Sequence, residues 1–232
     1  MQLSAQDVAR FLNISEKTLY RMIRHGEIPA QKIHDQYRFN RTELLEWIMA
    51  HHMAISPEFV QNEEKISPAR LPQLSTALKA GGIYYRLAGA DKKSALLSLV
   101  AVLRLPPEAD RDLLLKMLLA REAMASTSIG EGIAVPHARN PLVFHVTEPQ
   151  IALAFLQTPV DFQALDGKPV FALFSMITPT VRIHLHLLSR LAFALQDAGF
   201  RDTVRRQAEG DQIIRELLRV ESSFAPGTRK AR

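Results

Sequence analysis

The sequence predicts an α/β domain with one core, preceded by a small helical module that carries a hairpin. Three observations predict it. Long amphipathic segments (94–104, 110–121, 184–197 and 211–220) alternate with apolar runs of strand length, Gln150–Phe155 and Pro169–Ile177. Upstream, helix-start signals recur at short intervals, too close for a large core. Between the two, from about Ala54 to Leu74, periodicity fails and Pro57, Pro68 and Pro72 stand among polar residues, the composition of a linker.

The module reads in order. Ser4-Ala-Gln-Asp7 has the spacing of a capping box, and Val8, Phe11 and Leu12 follow as the apolar face of a first helix. Asn13-Ile14 makes a short break. Ser15 then caps a second helix through Leu19, Met22 and Ile23, which ends at Gly26. Ala30–Ile33 and Tyr37–Phe39, flanking His34-Asp35-Gln36, read as a hairpin or wing, and Asn40 caps a third helix with Leu44, Leu45, Trp47 and Ile48. The expected organisation is therefore a module at 1–54, a linker at 55–73, the α/β domain at 74–221 and a basic tail at 222–232, the tail having too few apolar residues to offset the entropy of ordering.

Composition narrows the chemistry. The 232 residues are 47% hydrophobic and 23% charged, ordinary globular values. Cys is absent, which removes disulfides, thiolate metal sites and cysteine nucleophiles. No apolar run approaches the ~20 residues that cross a bilayer and no leader pattern opens the chain, so a cytoplasmic protein with no membrane partner is expected. The net charge of +5 is spread thinly: residues 1–54 carry seven Lys/Arg against six Asp/Glu. A nucleic-acid reading must rest on where cations sit.

In the module, an inward Leu19, Met22 and Ile23 leaves Lys17, Tyr20, Arg21 and Arg24 on the opposite face at helical spacing, able to reach phosphates or guanine edges. Lys32, Arg38 and Arg41 would add contacts from the wing. A merely solvated cationic face is the alternative. Leu3-Ser-Ala-Gln-Asp-Val-Ala-Arg-Phe-Leu-Asn-Ile-Ser-Glu-Lys-Thr-Leu-Tyr20, His25-Gly-Glu-Ile-Pro29, Tyr37-Arg-Phe39 and Leu45-Glu-Trp47 resemble the excisionase, or MerR-type, winged helix-turn-helix family over nearly all of residues 1–50. The resemblance implies DNA binding through Ser15, Lys17, Thr18, Tyr20, Arg21, Arg24 and Arg38. A module this small reads few base pairs alone, so a homodimer is expected.

Four of the eight histidines, His137, His145, His184 and His186, fall in the α/β domain. His137 follows Ser126-Thr-Ser-Ile-Gly-Glu-Gly-Ile-Ala-Val-Pro136, whose backbone N–H groups could gather around an anion. His184 is expected to begin a helix, where N-terminal N–H groups add positive potential. A neutral imidazole is a competent nucleophile, and a second imidazole with an Arg could steady phosphoryl oxygens during in-line transfer. Hydrogen-bonded structural histidines are the alternative. A metal site is disfavoured because HExxH is missing and no carboxylate adjoins these histidines. A serine triad is disfavoured by the missing GxSxG elbow.

Arg121-Glu-Ala-Met-Ala-Ser-Thr-Ser-Ile-Gly-Glu-Gly-Ile-Ala-Val-Pro-His137 resembles the active-site signature of enzyme IIA of the fructose/mannitol/nitrogen-type phosphotransferase systems. Val146–Leu153, Pro159–Phe162, Leu165–Val170, His184–Ala192 and Phe200-Arg201 follow in that family's order. The resemblance spans about 74–220 and implies an enzyme IIA-like α/β fold, a mixed sheet flanked by helices. It implies His137 as phosphoryl acceptor, His184 as second active-site histidine and Arg121 as a stabiliser of transition-state charge. Ser128 and Ala138 stand where glycine is common in the family.

No nucleotide-binding loop and no cofactor motif are present, so a protein must donate the phosphoryl group, and the resemblance implies HPr or a nitrogen-branch homologue. A cysteine-using IIB domain and a IIC permease are not encoded in this sequence. The reading is a DNA-binding regulator responsive to phosphorylation of His137. Two others stay open: a phosphocarrier relaying to a separate IIB protein, and an unphosphorylated docking or dimerisation scaffold.

Overall fold

The computed structural model describes residues 2–51, 53–56, 71–138 and 146–223. Most of the expected linker, the expected tail from 224 and His145 lie outside them.

The N-terminal module comprises β1 (Gln2–Ser4), α1 (Ala5–Phe11), α2 (Glu16–Arg24), β2 (Gln31–Ile33), β3 (Gln36–Asn40) and α3 (Arg41–Ala50). Its caps follow the sequence signals. The Ser4 and Asp7 side chains cap each other's backbone, Ser15 accepts from Thr18 N–H, and Asn40 accepts from Thr42 and Glu43 N–H. The wing turns on two residues, His34 and Asp35, both at positive φ, which matches the twist of a tight hairpin. The unexpected strand β1 pairs with β3, making an antiparallel sheet in the order β1-β3-β2. Val8, Phe11, Leu19, Phe39, Leu44, Leu45 and Ile48 fill the module's core.

The larger domain follows as α4 (Leu74–Gly81), β4 (Ile83–Leu87), α5 (Lys92–Val102), α6 (Arg111–Met124), β5 (Ser128–Gly130), β6 (Ile133–Ala134), β7 (Gln150–Val160), β8 (Val170–Ile177), α7 (Val181–Ala194), α8 (Ala198–Arg205) and α9 (Gly210–Ser222). Its sheet is mixed, in the order β4-β7-β8-β6-β5, with parallel pairs β4/β7 and β6/β8 and antiparallel pairs β7/β8 and β5/β6. The expected fold class stands.

Strand alternation divides the apolar residues between the two faces of this sheet. Ile151, Leu153 and Phe155 of β7 pack in one cluster with Leu187, Leu188, Leu191 and Leu217, whereas Ala152, Ala154 and Leu156 pack in another with Leu96, Leu99, Leu114 and Leu118. The sheet is thus covered on both sides, which is why β7 reads as a continuous apolar run. The first cluster continues into the N-terminal module through Ile48, Met49 and Ile55. Two hydrogen bonds tie the segment after α3 to the end of α7: Gln196 Nε2 donates to Met53 O at 2.9 Å, and Ile55 N–H donates to Gln196 Oε1 at 3.3 Å.

Candidate functional site

His137 stands three residues beyond β6, and the hairpin before it sets its position. Gly130, Glu131 and Gly132 all take positive φ, forming the tight turn from β5 to β6. A Cβ on Gly132 would lie 2.5 Å from the Phe171 ring, so β8 packs directly on the turn. Glu131 N–H donates to Asp166 Oδ2 at 2.8 Å. Val135 N–H donates to Thr127 O at 2.9 Å, carrying the pairing past β6 to Pro136 and His137.

The signature segment therefore serves a different purpose from the anion cradle expected of it. Its amides are engaged internally: Thr127 N–H donates to Glu122 Oε2 at 3.0 Å, Ser128 N–H to Ser126 Oγ at 3.1 Å and Gly130 N–H to Ser128 Oγ at 3.3 Å. These bonds hold a hairpin that presents the histidine. Ser128 also donates to Ile133 O across the hairpin at 3.2 Å, so the hydroxyl is used where the family commonly has glycine.

His137 is buried, 1% exposed. Its Nδ1 lies 2.7 Å from Val135 O, a backbone acceptor that requires a hydrogen on Nδ1. Nε2 is thereby left as the nitrogen aimed out of the domain. The His184 ring lies beside it, centroids 5.2 Å apart. His184 sits one turn inside α7 rather than at its start, because the helix begins at Val181 under a Thr180 cap and His184 N–H already donates to Thr180 O at 3.0 Å. Both its ring nitrogens are buried without a hydrogen bond among the described residues. Burial, with the neighbouring His137 charge, pushes its pKa down to about 3, so the ring is neutral at physiological pH. His186, the other histidine of α7, is a structural residue: fully buried, its Nε2 lies 3.1 Å from Pro72 O.

Arg121, near the end of α6, completes the cluster. It is 5% exposed and donates from one terminal nitrogen to Ala125 O at 2.8 Å. Two imidazoles and a guanidinium, from α7, from the segment after β6 and from α6, are thus brought close together. Among the described residues no group of three or more His, Asp and Glu side chains could hold a metal ion.

The sequence missed a fourth member. Glu46, on α3 of the N-terminal module, places Oε1 2.9 Å from His137 Nε2 and Oε2 2.6 Å from an Arg121 terminal nitrogen. Burial works to raise the Glu46 pKa, but the hydrogen bond and charge of His137 and the Arg121 guanidinium outweigh it and hold the carboxyl below its ordinary range. With an acceptor on each side, the His137 ring satisfies both Val135 O and an ionised Glu46 only when both nitrogens carry hydrogens. The space left beside the ring, lined by Glu46, Met49, Arg121, Thr127 and Val135, is about 10 Å³.

The helix-turn-helix residues lie elsewhere. Ser15, Lys17, Tyr20, Arg21 and Arg24 are exposed, and Thr18 and Arg38 are half-buried. Ser15 and Thr18 close the α2 cap between them, their hydroxyls 2.9 Å apart. Tyr20 meets Tyr37 of the wing edge-on at 5.9 Å, and Arg38 donates to Gln36 Oε1 at 2.6 Å. Arg41, expected among the wing contacts, is 1% exposed at the start of α3 and is not presented with the others.

A buried histidine with one nitrogen fixed by its own backbone, beside a second histidine and an arginine on a mixed sheet, defines a IIA-type domain, here joined to a helix-turn-helix. The chain belongs to the family described as phosphoenolpyruvate-dependent sugar phosphotransferase system, EIIA 2, whose model matches residues 76–220. A helix-turn-helix domain model matches residues 3–52. The chain is 34% identical over 153 residues to a nitrogen regulatory protein of Pseudomonas aeruginosa, covering 65% of this chain and 97% of that one. It is 36% identical over 111 residues to a PTS system fructose-specific EIIA component of Haloferax volcanii, covering 47% of this chain and 70% of that one. Among solved structures it resembles nitrogen regulatory protein IIA-Ntr from Neisseria meningitidis, with TM-score 0.54, 26% identity, and 62% and 98% of the two chains covered. Among the described residues no helix is long and apolar enough to cross a membrane.

Proposed function

We propose that this chain is a DNA-binding regulator whose IIA domain accepts a phosphoryl group on Nε2 of His137 from an HPr-like protein. The observation that carries the reading is the Nδ1 contact to Val135 O, which leaves Nε2 as the outward nitrogen in a cluster with Arg121 and His184. In the transfer, the N–P bond of the donor's phosphohistidine breaks as the Nε2–P bond forms. Nε2 attacks with its lone pair after releasing any proton it carries, and the departing donor imidazole keeps the bonding pair and takes up a proton. Arg121 would offset charge developing on the phosphoryl oxygens, and the unbonded nitrogens of His184 would supply a hydrogen bond to one of them.

Apolar side chains beside this cluster suit a protein donor. Met124 is 62% exposed three residues from Arg121 on α6, and Val181 is 45% exposed three residues from His184 on α7. Helical spacing keeps each near the face of its active-site neighbour. On the N-terminal module, exposed Lys17, Tyr20, Arg21 and Arg24 fit phosphate and base-edge contacts in a major groove, and pairing of two such modules in a homodimer would lengthen the site read.

Incubation with phosphoenolpyruvate, enzyme I and HPr tests the reading. Acid-labile phosphate is expected on the wild type and not on His137→Ala, with a change in DNA affinity on phosphorylation. No label on the wild type contradicts the phosphoacceptor role. The likeness to the Haloferax EIIA component favours a second reading, relay to a separate IIB protein, which onward transfer to such a protein without change in DNA affinity would establish.

A further inference from the structure

We propose that the N-terminal module is an internal ligand of the IIA site: α3 docks over His137, and the Glu46 carboxylate occupies the place of the incoming phosphoryl group. Docking and phosphorylation of His137 are then mutually exclusive. This rests on His137 being the phosphoacceptor, and it adds a regulator of that site.

The geometry is that of an anion held by a phosphoryl site. Glu46 bridges Nε2 of His137 at 2.9 Å and the Arg121 guanidinium at 2.6 Å, the nitrogens that would face a transferred phosphoryl group. The hydrogen needed on Nε2 for this contact also removes the lone pair that would attack phosphorus. About 10 Å³ remains beside the ring, at most the room for one water, so a phosphoryl group cannot enter until Glu46 leaves. A donor protein cannot reach a ring that is 1% exposed beneath α3. After transfer, the phosphoryl group carries about −1.5 to −2 charge where Glu46 would bring another negative charge, so the module cannot return.

The contact between the two parts is incomplete at its edge. Met49 and the segment from Met53 to Ile55 cover the domain together with Glu46, and beside them a cleft of about 300 Å³, half open to solvent, runs between the two parts, lined by Ile48, Met49, Ala54, Ile129, Leu195 and Arg201. The α2 cations remain exposed while α3 is docked, so the module can carry DNA-binding residues in either arrangement. By reciprocity, DNA that prefers the docked arrangement must disfavour phosphorylation at equilibrium by the factor by which phosphorylation weakens that DNA complex.

Two readouts on the full-length chain test the docking, with Glu46→Gln removing the charge and Glu46→Lys reversing it. Carbethoxylation of His137 by diethylpyrocarbonate, followed by peptide mass spectrometry, should be slow in the wild type. It should rise on the order of tenfold in Glu46→Gln, the scale of removing a charge-assisted hydrogen bond, and further in Glu46→Lys. Phosphorylation by HPr should rise in the same order, and far-ultraviolet circular dichroism checks that each variant is folded. Unchanged carbethoxylation in both folded variants overturns the proposal, as does phosphorylation at equal rates in all three proteins. Absence of label in every protein would defeat the phosphoacceptor reading alone, because carbethoxylation still decides whether Glu46 caps the ring.

Discussion

The Glu46 carboxylate lies 2.9 Å from Nε2 of His137, across 91 positions of sequence and from a different domain. The contact makes the state of the histidine a matter for the helix-turn-helix module as well as for the IIA domain. The surrounding chemistry can be tested residue by residue.

His184 ties stability to pH. Its pKa is lowered to about 3 in the folded chain, against 6.5 when exposed, so between these values the unfolded chain binds a proton that the folded chain does not. The residue's contribution is therefore fully present above about 6.5 and falls with pH by at most about 1.4 kcal/mol per unit. Urea unfolding followed from pH 7 to pH 4 should show this slope in the wild type and a shallower one in His184→Gln.

Arg121→Ala should lower the rate of phosphoryl transfer to His137 by about a hundredfold, the usual scale for removing one preorganised charge partner from the transition state. Arg121→Lys should recover only part of the rate, because an ammonium cannot meet Ala125 O and an anion with a planar fork. Rapid-quench measurement with phosphorylated HPr as donor checks both.

Arg21→Ala and Arg24→Ala should each weaken DNA binding without changing the fold, since both side chains are exposed on α2. Removing one cation that pairs with a phosphate should reduce the slope of log K against log salt by about 1. Fluorescence anisotropy at several salt concentrations reads this directly. A Lys17→Ala variant that leaves affinity unchanged would place Lys17 on the solvated side.

Gly81→Ala should destabilise the IIA domain by about 3 kcal/mol, because the added Cβ would lie 2.2 Å from the Ile151 carbonyl oxygen of β7. Backbone cannot yield as a side-chain tip would. Thermal unfolding should show a markedly lower Tm.

Much of this architecture is legible in the sequence because its causes are local. Ser4, Ser15 and Asn40 cap the helices that their spacing predicts, and β7 and β8 lie where the apolar runs stand. The signature that singles out Arg121 and His137, with the downstream match that singles out His184, corresponds to three side chains brought together in space. What escapes has non-local causes. The first turn of α4 is capped from 147 positions away, where Glu221 Oε1 accepts Leu74 N–H at 2.6 Å, so no signal at residue 73 marks it. Strand β1 exists only because β3 offers it an edge.

Glu46 is the least legible of the site residues. A glutamate on a short helix ordinarily faces water, and nothing within the module distinguishes it. The available signal is Met49, an apolar residue at i+3 from Glu46 on a side of α3 that Leu44, Leu45 and Ile48 do not need for the module's own core, with Met53 following just beyond the helix. A second apolar face on a helix that small implies a second partner.

Both the phosphoacceptor role and its regulation by Glu46 depend on Nε2 of His137 being the atom that takes the phosphoryl group. Phosphorus NMR on protein labelled through phosphoenolpyruvate, enzyme I and HPr decides this, with peptide mapping to locate the residue. A single phosphohistidine resonance of the Nε2 type, on the peptide containing His137 and absent from His137→Ala, is expected. Label on Nδ1, on another residue, or none at all would contradict it.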